Sequence, residues 1–266
     1  MKKHIVNVVG LYLKNQLNYR NLLITLAISV LGTVLLNIIF IFLPKFWANL
    51  LLGKTSISLI LTFQDVMWMT FLVGCTQVLK RIKEIENLGG FKQNDYLPKE
   101  FETIIDQETL TNIVRKSKED ANRFMGILPY MIFQIALQYR TNKSISLTSD
   151  FLSKQLELFL HQVELRYNNL KYMIWLIPSL GFMGTVYGIG IAVAKLGEGS
   201  LDDPNLLTAM AGSLGIAFNT TLLALVLSVF LQFLTQHLEA KEENLINDFG
   251  KYILENFINK IVEDDV

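Results

Sequence analysis

Hydrophobic and polar positions follow two rhythms along this chain. In four stretches apolar residues run on with scarcely a charge: Asn21–Leu43, closed by Pro44; Ile57–Leu79, closed by Lys80 and Arg81; Tyr172–Ala194; and a fourth from about Leu207 to about Leu234. Each can cross a bilayer, which takes roughly 20 apolar residues because a helix rises about 1.5 Å per residue and satisfies its own backbone. Over residues 101–124 and 149–171 charged and apolar residues interleave at helical spacing. That predicts amphipathic helices of a soluble domain, the second capped by Ser149 or Asp150 and running unbroken into the third span. Phe124–Tyr139 is apolar but short, holds Pro129, Gln134 and Gln138, and reads as a packed helix of that domain. Leu88–Pro98 reads as a linker.

The pattern predicts an all-α polytopic membrane protein with four transmembrane helices and a cytoplasmic helical domain. Its divisions are an amphipathic helix over 1–20, a first transmembrane hairpin over 21–79, a helical domain over 80–171, a second hairpin over 172–234 and a C-terminal helix over 235–266. Lys and Arg set the orientation, because short cytoplasmic flanks carry their excess. Lys2, Lys3, Lys14 and Arg20 precede the first span, and Lys80, Arg81, Lys83, Lys92 and Lys99 follow the second. The hairpin loops hold only Lys45 and Lys54, and Lys195. Both termini are therefore predicted inside. The first twenty residues carry recurring charges and no small-residue cleavage site, so they read as a retained surface helix and not a signal peptide.

Composition narrows the classes. With 51% hydrophobic and 18% charged residues the chain is more apolar than a soluble domain of this length, and its mean hydropathy is +0.36. Twenty-four basic and 24 acidic residues leave no surplus for nucleic acid. One cysteine, Cys75, excludes an internal disulfide, and His4, His161 and His237 lack ligand spacing. No nucleophile–base pair or phosphate-binding loop stands out, so neither an enzyme nor a cofactor or metal is expected.

The chemistry lies in two stripes of small and hydroxyl residues. In the third span Gly181, Gly184, Thr185, Gly188 and Ala192 recur on one helical face. In the fourth, Ser213, Ala217, Thr220, Thr221, Ala224 and Ser228 do the same, with Asn219 beside them. Such stripes fit two uses: close helix packing in lipid, and a weakly polar path for an ion beside a partner helix. Neither span has a carboxylate, so a proton path here takes its titrating group from a partner. The chain's own intramembrane carboxylate, Asp65 in the second span, is read as structural, with Gln64 as a candidate partner, or as an accessory to the ion path.

At "PSLGFMGTVYGIG" (Pro178–Gly190) and "GIAFNTTLLAL" the sequence resembles the MotA/TolQ/ExbB proton channel family. Pro178, Gly181, Gly184, Thr185, Val186, Tyr187, Gly188 and Ile189 stand where the TolQ and ExbB branch has its motif, and Ala217 and Thr221 fit the spacing of the last span. The resemblance implies a homopentamer in a bacterial inner membrane around a dimer of an ExbD/TolR/MotB-like single-span protein whose Asp carries the ion. It implies that Thr185 and Thr221 line the partner helix, with Thr220 a neighbour, and that Pro178 bends the third span. Four spans with both ends inside is the MotA layout, whereas a threonine at 185 is of the TolQ/ExbB kind. The lack of further polar ligands favours H⁺ over Na⁺. The expected function is the channel-forming subunit of a motor or energy transducer driven by the proton motive force; the alternative is a non-conducting scaffold.

Overall fold

A computed structural model describes residues 19–42, 44–53, 62–90, 96–98, 105–124, 126–198 and 204–261. Every regular element among them is helical: α1 (Tyr19–Ile41), α2 (Lys45–Leu52), α3 (Phe63–Gly90), α4 (Gln107–Phe124), α5 (Ile127–Asn142), α6 (Ile145–Glu198), α7 (Pro204–Asn256) and a 3-10 turn, Ile258–Lys260. The expected amphipathic helix over 1–20 lies outside the described residues up to 18, and Tyr19 and Arg20 already belong to α1. Contacts divide the described residues into two compact units, one within Tyr19–Leu79 and Asn168–Gln236, the other within Lys80–Tyr167 and 237–261.

The first unit turns an apolar exterior outward. Leu23, Leu31 and Leu35 of α1, Phe182 and Val186 of α6, and Leu222, Val229 and Phe233 of α7 are all exposed. In water that surface would be a liability, whereas in lipid it needs no partner. Stretches Ile145–Gly197 and Asn205–Lys260 each contain a window long and apolar enough to cross a membrane, and the described side chains of α1 add a shorter one, Leu23–Ile39. Inside, the unit buries polar residues alongside Met67, Ile177 and Leu231. Ser29 and Thr33 are buried, and Ser29 donates to Leu26 O, Thr33 to Ser29 O and Asn37 Nδ2 to Thr33 O, a ladder at every fourth residue down one side of α1. Close approach is enforced by glycine: a Cβ on Gly74 would stand 2.7 Å from a Leu231 methyl, and one on Gly32 2.8 Å from a Leu72 methyl.

Two parts of this unit differ from expectation. The first hairpin loop contains a helix, α2, closed by Gly53 in the left-handed region (φ 65°) with its N–H on Asn49 O. Helix α3 begins at Phe63, so the expected start at Ile57 lies outside the described residues; Leu88–Gly90, expected to open a linker, belong to α3, and 91–95 lie outside the described residues.

The second unit is a conventional packed helical core. Leu128, Met131, Ile132, Ile135 and Ala136 of α5 are buried, as are Ile246, Phe249 and Ile253 of α7. Sixteen residues long and buried, α5 is the packed helix its length suggested. Pro129 does not break it, because it stands in the first turn where no helical N–H is due. Tyr139 meets Phe257 edge to face at 6.2 Å, Leu97 N–H donates to the Tyr252 hydroxyl, and Ile105 N–H donates to Lys260 O, tying the loop segments to the end of α7. Helix α6 starts earlier than expected: Ser144 caps it, accepting from Leu147 N–H at 3.4 Å, and Ser149 and Asp150 lie inside the helix. It then runs without a break through residue 198.

Candidate functional site

The two small-residue stripes meet. On α6, Gly181, Gly184 and Gly188 are buried, and what covers them is the chain's own α7. A Cβ on Gly184 would lie 2.7 to 2.8 Å from Oγ1, Cβ and Cγ2 of Thr220. One on Gly188 would lie 2.9 Å from Ala217 Cβ and Ser213 O, and one on Gly181 would run into Ala224 Cβ. The glycine face read from the sequence as a seat for a partner helix is thus filled within the chain. Its flatness lets two helix backbones approach closer than any side chain would allow.

At the margin of this seam Thr185 and Thr221, both half-buried, bring their hydroxyls into direct hydrogen-bond contact. Two backbone carbonyls complete the group. Thr185 Oγ1 donates within 3.1 Å of Ala217 O and 3.2 Å of Gly181 O, and Thr221 Oγ1 within 3.4 Å of Gly181 O. Two hydroxyl protons are therefore shared among four oxygens, and either hydroxyl can turn to donate elsewhere while the other satisfies a carbonyl. One turn to either side, Phe182 and Ile189 on α6 and Phe218 and Leu225 on α7 are exposed, so the pair is framed by apolar surface.

The structure separates residues the sequence left together. Thr220 is fully buried, packs on Gly184 and donates to Ala217 O at 2.8 Å, which makes it part of the helix contact. Thr221 belongs to the hydroxyl pair. Ala217 sits buried against Gly188. Asn219 stands about 200° around α7 from Ala217 at about 100° per residue, on the far side from the seam and not beside it. Pro178 lies in an uninterrupted helix, with Ser179 Oγ donating to Trp175 O at 3.0 Å in the same turn.

Asp65 has a structural setting, with partners other than the Gln64 the sequence suggested. Because α3 begins at Phe63, Asp65 sits in its first turn, where the helix dipole favours a carboxylate. Thr62 Oγ1 accepts from Asp65 N–H at 3.2 Å while Asp65 Oδ2 accepts from Thr62 N–H at 2.9 Å, a reciprocal capping box. Asp65 Oδ1 accepts from Asn37 Nδ2 of α1 at 2.9 Å. Its partners include Thr62 and Asn37, while the Gln64 amide is buried against Gly53.

Two polar groups had no sequence signal. Lys195 Nζ donates to Ser213 Oγ at 2.9 Å and to Ala209 O at 3.2 Å, closing the α6–α7 seam at its hairpin end. In the second unit Arg166 Nη1 lies 2.7 Å from Glu242 Oε1, both side chains at most 2% exposed. Burial, and next the Glu242 charge, push the adjoining Tyr167 hydroxyl well above its ordinary pKa, so it stays protonated. The apolar spacing that identifies both helices gives no hint of which polar residues meet.

Helices with apolar exteriors, joined over a seam of glycines and hydroxyls, define a helical membrane protein. Residues 125–251, just under half the chain and including α5, the site and nearly all of α6 and α7, match the model of the MotA/TolQ/ExbB proton channel family. This region of the chain is similar to that family, the one its glycine–threonine motif indicated. No curated protein and no solved structure matches the chain. The family is one of proton channels whose members work with single-span partner proteins in oligomeric complexes.

Proposed function

We propose that this protein is the channel-forming subunit of a motor or energy transducer in a bacterial inner membrane, driven by the proton motive force. In this reading α1, α3, α6 and α7 provide four spans with both termini cytoplasmic, and exposed Tyr172 and Trp175 mark the inner interface. Five copies surround two single-span partners, and the titrating Asp is the partner's. The chain takes no cofactor and makes no covalent bond with its ion.

The observation that carries the proposal is the Thr185–Thr221 pair, half-buried at the margin of the seam within the family-matched region. A neutral carboxyl arriving there donates to a hydroxyl oxygen, and a carboxylate accepts a hydroxyl proton, so the pair serves both states of a passing acid. The four oxygens are engaged with one another and form no open cage, which supports H⁺ over Na⁺. One charge crossing about 100 mV releases roughly 2.3 kcal/mol, enough to bias neighbouring packings of two helices.

The test is Thr185→Ala and Thr221→Val in the assembled complex. Loss of proton-dependent work with intact assembly is expected; unchanged work in both variants sinks the assignment. A second reading, the non-conducting scaffold, draws on the glycine face being filled inside the chain. It predicts that Thr221→Ser and Thr221→Ala are silent while Gly184→Leu disrupts assembly.

A further inference from the structure

Helix α2, Lys45–Leu52, lies in what the sequence presents as a loop, and it is apolar on both sides. Ala48 and Leu52 are buried in the chain, whereas Phe46 is 68% and Trp47 48% exposed. A helix so exposed in water would be a poor end to a hairpin, since each large apolar side chain left uncovered forgoes roughly 1.5–3 kcal/mol. Three residues separate it from the end of α1, and Ile38, Ile39 and Phe42 before α2 are exposed, as Phe46 and Trp47 within it are.

The backbone of α2 is prepared for a dry environment. A helix ends with carbonyls that have no partner of their own, which is costly away from water. Here Trp68 Nε1 donates to Leu51 O at 2.9 Å, Thr62 Oγ1 donates to Leu52 O at 3.1 Å, and Gly53 N–H donates to Asn49 O at 3.0 Å. Thr62 also caps α3, so one hydroxyl joins the end of α2 to the start of the next helix. These bonds hold α2 against α3, leaving the Phe46 and Trp47 side to meet the surroundings.

We propose that α2 is an interfacial helix whose occupant is lipid: Phe46 and Trp47 rest among the headgroups and upper acyl chains of the outer leaflet and fix the depth of the first hairpin. A tryptophan with an apolar body and a polar N–H suits that layer. This rests on the four-span layout above, and the test separates the two.

Single cysteines are placed at 46 and, as a reference on α1, at 31 (Phe46→Cys and Leu31→Cys, each with Cys75→Ser). They are spin-labelled in phosphatidylcholine vesicles and their collisions with oxygen and with a water-soluble nickel chelate are compared. Oxygen collisions exceeding nickel collisions at both positions support the proposal, with position 46 shallower than 31. Nickel access at 46 with oxygen access at 31 overturns the interfacial helix and leaves four spans standing. Protection from both reagents at 46 means protein covers α2 and also overturns it, and nickel access at 31 overturns the layout itself. Trp47→Cys repeats the test should Phe46→Cys fail to fold.

Discussion

Gly184→Ala tests the seam most directly. The added Cβ would face three atoms of one side chain, Thr220 Oγ1, Cβ and Cγ2, at 2.7 to 2.8 Å. Carbon atoms pack comfortably at about 3.5 Å or more, so the shortfall is about 0.7 Å. Rotating Thr220 does not help, since its Cβ is fixed by the backbone and is itself one of the three. The helices must part, and overpacking of this kind costs about 1–3 kcal/mol, a factor of about 5–150 in the folding equilibrium. Because Thr185 is the next residue, the same displacement draws its hydroxyl from Thr221. Thr220→Gly removes all three opposing atoms at the cost of about 0.3 kcal/mol in helix propensity, since Thr is itself a poor helix former. The double variant Gly184→Ala/Thr220→Gly should therefore be more stable than the two single losses add up to, with a coupling of about 1–3 kcal/mol. Thr220→Ala, which keeps the Cβ, should rescue only in part. Reversible denaturation of the purified protein in mixed micelles measures all four states. Additivity to within about 0.3 kcal/mol would refute the contact, and with it the argument that α7 covers the glycines.

Asp65→Ala should destabilise the first hairpin by about 1–3 kcal/mol, because it leaves Asn37 and Thr62 without their shared acceptor, and Asp65→Asn by less; a stable Asp65→Asn protein that has lost proton flux would return Asp65 to the ion path. Arg166→Met should cost about 3–5 kcal/mol by leaving Glu242 buried without its cation, and Arg166→Met/Glu242→Leu should recover most of that in the same denaturation assay. Hydrogen bonding from Thr109, by side chain and by backbone N–H, holds the Asp106 carboxyl below its ordinary value of 3.8 at the start of α4. A lowered folded pKa means the contribution is present above the ordinary aspartate range and is lost as pH falls through the folded value. Hydrogen exchange in α4 should therefore speed up between about pH 6 and about pH 3 beyond the intrinsic trend, and Asp106→Ala should remove that difference.

Helices were legible because their signals are local. Apolar residues at 172–194 and 207–234 repeat within a few turns, and that repetition specifies a helix and its likeness to lipid whatever else surrounds it. The packed character of α5 followed from its length, and the continuity of α6 from an unbroken rhythm. The small-residue faces were also visible, since glycines at 181, 184 and 188 can share only one side of a helix.

What covers a face is not a local property. A glycine stripe accepts any helix that fits, and only the packed chain shows that α7 is the one seated there, leaving the Thr185–Thr221 pair at the margin. Pairing across distance is equally silent in the sequence. Asn37 and Asp65 are 28 residues apart, and the Arg166–Glu242 pair joins two helices; isolated polar residues carry no period that would announce either meeting. The role of Asp65 turned on where α3 begins, because a carboxylate two turns into an apolar helix is a liability and one in its first turn is a cap. Spacing along the chain was enough to read the long helices, their apolar surfaces and the residues with chemistry to offer, but not α2. The tertiary structure alone decided which faces are already filled and which hydroxyls, carboxylates and cations meet, because close packing and hydrogen bonding are settled between segments and not within them.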